Sequence, residues 1–232
     1  PAGFRDQIRQ QAAAMADSEE KHLHGLFDAL MAKLGIDVIA PDATPPQDRP
    51  SASWCEEQGR QIDVVRAHGR LADLVAVARP DRTRNLGFNT LKAGLFQTAR
   101  PVLLCPPVAP ADTLGHRVAI AWNGSLEGAR TLALSWPLLA AAEEVVVLDG
   151  GETTGAACGA TLQRRLAERG IPARHLRIDA GDGPGAAILS GAKAAGADLV
   201  MMGAYGHSRE YEAMFGGATQ HVVHETTLPV IM

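Results

Sequence analysis

The sequence predicts an α/β protein: a parallel sheet covered by helices, arranged as two similar halves. From Arg117 onward, short apolar runs alternate with stretches of helical periodicity, the order that gives parallel strands with helices on both faces. LADLVAVARP (71–80) matches GADLVMMGAY (196–205), and TARPVLLCP (98–106) matches TTLPVIM (226–232), with Pro101 and Pro229 in line; the chain repeats itself. The 232 residues are 46% hydrophobic but only 4% aromatic, which suits a core of Ala, Val and Leu, either one large core or two small ones.

In the first half, SEEKHLHGLFDALMAKLG (18–35) carries apolar residues at helical spacing, which core contact explains. Its acidic start suits the positive end of a helix dipole. IDVIAP (36–41) reads as a strand and DATPPQDRPSAS (42–53) as a Pro-rich loop. LADLVAVARP supplies a further strand, NTLKAGLFQT (89–98) a helix and PVLLCP (101–106) a closing strand. The second half opens strand–helix–strand, whereas the first runs directly into a helix. Comparison of the halves therefore predicts a missing opening stretch of roughly 45–60 residues.

In the second half RVAIAW (117–122) is a buried strand, and residues 125–142 form a helix with Ser125 as its cap. EEVVVLDG (143–150) is the next strand, and TLQRRLAERG (161–170) a helix closed by Gly170. ARHLRID (173–179), the helix GPGAAILSGAKAAG (183–196) and the strand ADLVMMG (197–203) follow. Residues 208–225 are mostly helix, and LPVIM (228–232) is the last strand. The domains expected are 1–108, a linker at 109–116, and 117–232.

Composition removes several function classes. The charge of −4 comes from 22 basic and 26 acidic residues with no long basic run, so wrapping a nucleic-acid backbone is not expected. No apolar run approaches the ~20 residues that cross a bilayer, and nothing reads as a signal peptide. Cys55, Cys105 and Cys158 are far apart and odd in number, which suits a reducing compartment and shows no metal spacing. A cytoplasmic location is expected. No GxxxxGK[ST] run is present, NGSLEG is not GxGxxG, and no GxSxG elbow ends a strand. Ser125 and Ser208 read as helix starts. Asp149 ends a strand without the acidic cluster that a phosphoacceptor needs, and Asp179 and Asp182 read as a turn. His221 and His224 share a helix side but lack further ligands. No catalytic residue and no metal site is expected.

The informative stretch is LVMMGAYGHSREYEAMFGGATQHVV (199–223). Gly203 and Gly206 follow the strand, and Gly216 and Gly217 precede a helix. Such glycines can present backbone N–H groups to an anion; equally, they can make tight turns that let a helix approach the sheet.

The spacing Gly203-x2-Gly206-x9-Gly216, followed by GGATQHVV and a terminal LPVIM, resembles the universal stress protein family in its tandem-domain form. The resemblance covers 117–232 fully and 18–105 as an eroded first copy. It implies two tandem domains, each with a five-stranded parallel sheet of order 3-2-1-4-5 flanked by helices. It also implies a stress-response protein whose second half binds an adenine nucleotide, ATP or AMP, with Mg2+ entering only with ATP. Ala121, Trp122 and Asn123 would end the first strand of the site, with Asn123 where nucleotide-binding relatives carry Asp. Leu148 would line the base pocket and Met202 would border it. Gly203, Gly206, His207, Gly216, Gly217, Ala218 and Thr219 would surround the phosphate, with Gly217 replacing the usual Ser/Thr. In the first half Asp81 falls where Gly206 stands in the second, so phosphate is not expected there; Arg79, Arg82 and Arg84 are placed to offset it. The resemblance further implies an internal pseudo-dimer through the two closing strands, with unknown protein partners and room for further homo-oligomers. A nucleotide-independent scaffold of the same fold is the alternative.

Overall fold

The structure, a computed structural model, describes residues 2–84, 86–108, 113–151, 155–205 and 217–232. The chain divides into two compact units, Pro1–Gln58 and Gly59–Met232.

The first unit is built on α1 (Ala2–Leu34), which starts well before residue 18. Residues 2–16 are rich in Ala, Gln and Arg, so propensity alone favours helix where amphipathic spacing is weak. Gly35, at φ +65°, ends it. Gly35 N–H donates to Ala32 O and Ile36 N–H to Met31 O, the paired bonds of a Schellman cap. β1 (Asp37–Val38) and β2 (Ser51–Ala52) pair in parallel. Only part of the expected core face of α1 packs. His24 stacks on Trp54 at 4.9 Å, Phe27 leans on the same ring and Met31 is buried. Leu23, Leu26, Leu30 and Leu34 stay about half exposed as a separate stripe.

The second unit holds α2 (Gln61–Gly69), β3 (Val75–Ala78), α3 (Phe88–Gln97), β4 (Val102–Cys105), β5 (Arg117–Trp122), α4 (Leu126–Leu134), α5 (Trp136–Ala141) and β6 (Glu144–Asp149). α6 (Gly159–Ala167), β7 (Ala173–Arg177), α7 (Pro184–Ala194), β8 (Leu199–Met202), α8 (Ala218–Glu225) and β9 (Val230–Ile231) complete it among the described residues. Here the expected fold class is corrected. Two tandem parallel sheets of order 3-2-1-4-5 do not form; one mixed sheet of seven strands runs β3-β4-β9-β8-β5-β6-β7. Every neighbouring pair is parallel except β4 and β9, which are antiparallel. The reason lies in the closing strands. Each is apolar and has one edge left after pairing within its own half, and joining the two satisfies both edges. At this seam Leu103 faces Ile231, Val102 N–H donates to Met232 O at 2.9 Å and Met232 N–H returns to Val102 O at 3.0 Å.

The internal repeat is visible in register. Val75 pairs with Val102 as Val200 pairs with Val230, and Ala76 with Leu103 as Met201 with Ile231. Helices cover both faces of the central strands, so Val145 to Asp149 are all buried. One face packs Val146, Leu148, Val200 and Met202 with Leu91, Ile188, Ala192 and Val222. The other packs Val118, Ile120, Val145 and Val147 with Leu132, Leu139 and Leu166. No described helix is long and apolar enough to cross a membrane.

Candidate functional site

The candidate site lies at the carboxyl ends of β5 and β8. β5 connects onward to β6 on one side while β8 lies on the other, so the chain reverses its winding here, the position where α/β sheets take ligands. Three expected site residues come together in one cross-strand row: Leu148 pairs with Ala121, which pairs with Met202. Partners in a parallel register share a face, and all three belong to the cluster beneath α7 and α8. Leu148 is fully buried, 1% exposed, so its side chain is core. Trp122 points to the opposite face, where Nε1 donates to Ala157 O at 2.7 Å.

Beyond the strand ends, backbone geometry dominates. Asn123 is exposed, and its Oδ1 accepts the Ser125 N–H at 3.1 Å, forming the turn into α4. Ser125 caps that helix, its Oγ accepting the Gly128 N–H, so its expected role as a helix start holds. Gly203 sits directly against this helix start. A Cβ at 203 would lie 2.5 Å from Gly128 N and 3.0 Å from Glu127 C, so only glycine fits without moving α4. Thr131 Oγ1 reinforces the contact by donating to Met202 O at 3.2 Å.

The start of α8 closes the other side. Gly217 is its N-cap in extended conformation (φ −59°, ψ 159°), without a side-chain cap, and Ala218 is its first residue. The first-turn amides of such a helix lack intrahelical acceptors. Thr219 is buried, and its Oγ1 accepts the Tyr205 N–H at 3.1 Å. Sequence reasoning did not single out Tyr205, which holds φ +56°, an uncommon conformation for a bulky residue, and whose ring packs at a tilt against Phe96, 5.2 Å between centroids. Nothing in its local sequence signals that backbone angle. Gly206, His207 and Gly216 lie outside the described residues, as does Ser208.

The equivalent loop of the first half is self-satisfied. Asp81 Oδ1 accepts the N–H groups of Thr83 and Arg84, and its backbone bridges Leu86. Arg79 does not offset Asp81; its guanidinium donates to His224 O at 2.8 Å and Thr226 O at 3.0 Å, capping the carbonyl end of α8. His224 packs on Phe88, and its imidazole is held below its ordinary pKa by burial, then by the positive Arg82 nearby.

A second polar cluster sits under the start of α6. Asp149 is buried, and accepts the N–H groups of Gly151 at 2.7 Å and Gly159 at 3.0 Å. His175 Nε2 lies 3.4 Å from its Oδ2, without hydrogen-bond alignment. Burial pushes the Asp149 pKa up, but the two amide bonds and His175 outweigh it and hold the carboxyl below its usual range. Asp179 Oδ1 accepts the Gly181 N–H, the turn expected of it. The three cysteines are free.

Residues 123–232 match the Universal stress protein family. No curated protein sequence matches the chain. Among solved structures, a universal stress protein from Archaeoglobus fulgidus superposes with a TM-score of 0.60 at 16% identity, over 79% of this chain and 66% of that one. A functionally unknown protein from Pseudomonas aeruginosa superposes with a TM-score of 0.52 at 13% identity, over 91% and 76%. At these identities the likeness is one of fold: an α/β fold of the universal stress protein type with a mixed sheet.

Proposed function

We propose that this chain, with its universal-stress-protein-like fold, is a stress-response protein whose second half binds an adenine nucleotide and relays its presence to protein partners. The observation that supports this reading is the meeting of β5 and β8 at the switch point, where Ala121, Leu148 and Met202 form one apolar row beside exposed Asn123. On this reading Asn123 bonds the adenosine moiety through an amide that both donates and accepts. The opening N–H groups of α8, after Gly217, take the phosphate with Gly206, His207 and Gly216. ATP or AMP fits this description, with Mg2+ accompanying ATP alone. The reading assigns no catalytic residue. The β4–β9 seam is read as the axis of an internal pseudo-dimer.

A nucleotide-independent scaffold is the second reading, and two observations favour it. Gly203 is already required by the packing of α4, and the Thr219 hydroxyl already accepts a backbone N–H. Calorimetric titration with ATP and AMP separates the readings, using Gly217→Asp as the test variant. Asp is a good N-cap in the extended conformation Gly217 holds, so stability is kept while negative charge stands where phosphate would arrive. Micromolar binding weakened at least about tenfold in the variant supports the nucleotide reading. Absence of binding to folded protein at millimolar nucleotide leaves the scaffold.

A further inference from the structure

The two halves grip each other by equivalent parts. Arg79, in the loop after β3, donates to His224 O and Thr226 O at the end of α8. In the loop after β8, the ring of Tyr205 packs against Phe96 in the last turn of α3. With Pro101 and Pro229 in line, the repeat places Phe96 where His224 stands in the second half. Each crossing therefore joins a loop of one half to the end of a helix in the other. They differ in stiffness. The Arg79 crossing is made by charge-assisted hydrogen bonds, next to Pro80, whose ring fixes φ. Tyr205 falls where the first half has Pro80, and it holds φ +56°, which a bulky residue keeps only when its surroundings over-determine it.

Two contacts do so here. Thr219 Oγ1 accepts the Tyr205 N–H at 3.1 Å, and Phe96 holds the ring. The angle φ sets the direction of the side chain relative to the N–H, so the two contacts together select the positive value. Thr219 itself is buried in the first turn of α8. We infer that Tyr205 couples the candidate site to the first half: nucleotide held at the start of α8 stabilises the Tyr205 conformation that sets its ring on α3. The inference rests on the nucleotide reading, in which phosphate takes the opening N–H groups of α8 and so fixes Thr219. The ligand then favours the positive-φ state over the relaxed one, and the last turn of α3 is ordered with it. Coupling is reciprocal, so the Phe96 ring raises nucleotide affinity from the other half of the chain. The worth of one aromatic pair sets that factor at roughly twofold to tenfold.

The test follows amide exchange at Leu95, Phe96 and Gln97 by NMR in the full chain, with and without saturating ATP or AMP, beside calorimetric affinities. Nucleotide should slow exchange there at least about twofold. Phe96→Ala should abolish that slowing and weaken affinity roughly twofold to tenfold. Tyr205→Gly lacks the ring and takes φ +56° without strain; it should abolish the slowing too, and gives the readout should Phe96→Ala fail to fold. Phe88→Ala removes a ring that meets His224 at the other crossing. As the control for general loosening, it should keep both the slowing and the affinity. Nucleotide that binds but leaves α3 exchange unchanged, or slows it equally in Phe96→Ala, overturns the coupling and leaves the nucleotide reading standing. Loss of the slowing in Phe88→Ala as well overturns it too, reducing the effect to overall stability. No binding at millimolar nucleotide removes the site and the coupling together.

Discussion

Replacing Gly203 by Ala tests whether this glycine is held by packing. The added Cβ would meet Gly128 N at 2.5 Å, Glu127 C at 3.0 Å and Glu127 Cβ at 3.1 Å. Two of those atoms are backbone, so relief requires moving the first turn of α4. That shift loosens the Thr131 bond to Met202 O. Overpacking of this kind costs about 1–3 kcal/mol, and a weakened hydrogen bond adds about 1, giving roughly 2–4 kcal/mol. For a unit of this size each kcal/mol lowers Tm by roughly 2–4 °C, so a fall of at least about 4 °C is expected. Thermal unfolding followed by circular dichroism measures it, with Gly150→Ala as control, since a Cβ there meets nothing within 4 Å. The control should stay within about 0.5 kcal/mol of the parent or be slightly more stable. If Gly203→Ala behaves like the control, the close approach of α4 does not govern this position.

Two other outcomes follow from the polar contacts. Asp149 has a lowered folded pKa, so its contribution is full above the unfolded value of about 3.9 and is lost as pH falls through the folded value. Asp149→Asn should destabilise the protein by about 1–3 kcal/mol at pH 7 and flatten the loss of stability below about pH 4; equal acid sensitivity in both proteins, measured by urea midpoints across pH 2–7, would contradict the assignment. Arg79→Met leaves the His224 and Thr226 carbonyls without their charged donor and should cost about 1.5–3 kcal/mol, read from the urea midpoint; an unchanged midpoint would mean that Arg79 does not hold the end of α8.

The sequence made much of the second half legible, because strands buried on both faces read as unbroken apolar runs such as EEVVVLDG and helices end at glycines such as Gly170. The repeat ADLV was equally plain, and its register survives in space. That the two closing strands approach each other was expected, and Leu103 does pair with Ile231; that this antiparallel join makes one mixed sheet in place of two parallel ones was not legible, since it links residues far apart in the chain. The early start of α1 was missed because residues 2–16 lack an apolar stripe. In the candidate site, the family resemblance pointed to Ala121, Leu148 and Met202, which lie on neighbouring strands, but it could not show that Gly203 abuts Gly128 or that Thr219 holds Tyr205. Such contacts depend on distances of a few ångströms between separate elements.

The single antiparallel step sets the compass of the whole sheet. Because β4 and β9 run against each other, the strands on either side of that step discharge their loops at opposite rims: Asn123 and Gly203 at one, Arg79 and Asp81 at the other. The loops at the two rims are therefore kept a full strand length apart, on opposite ends of one sheet.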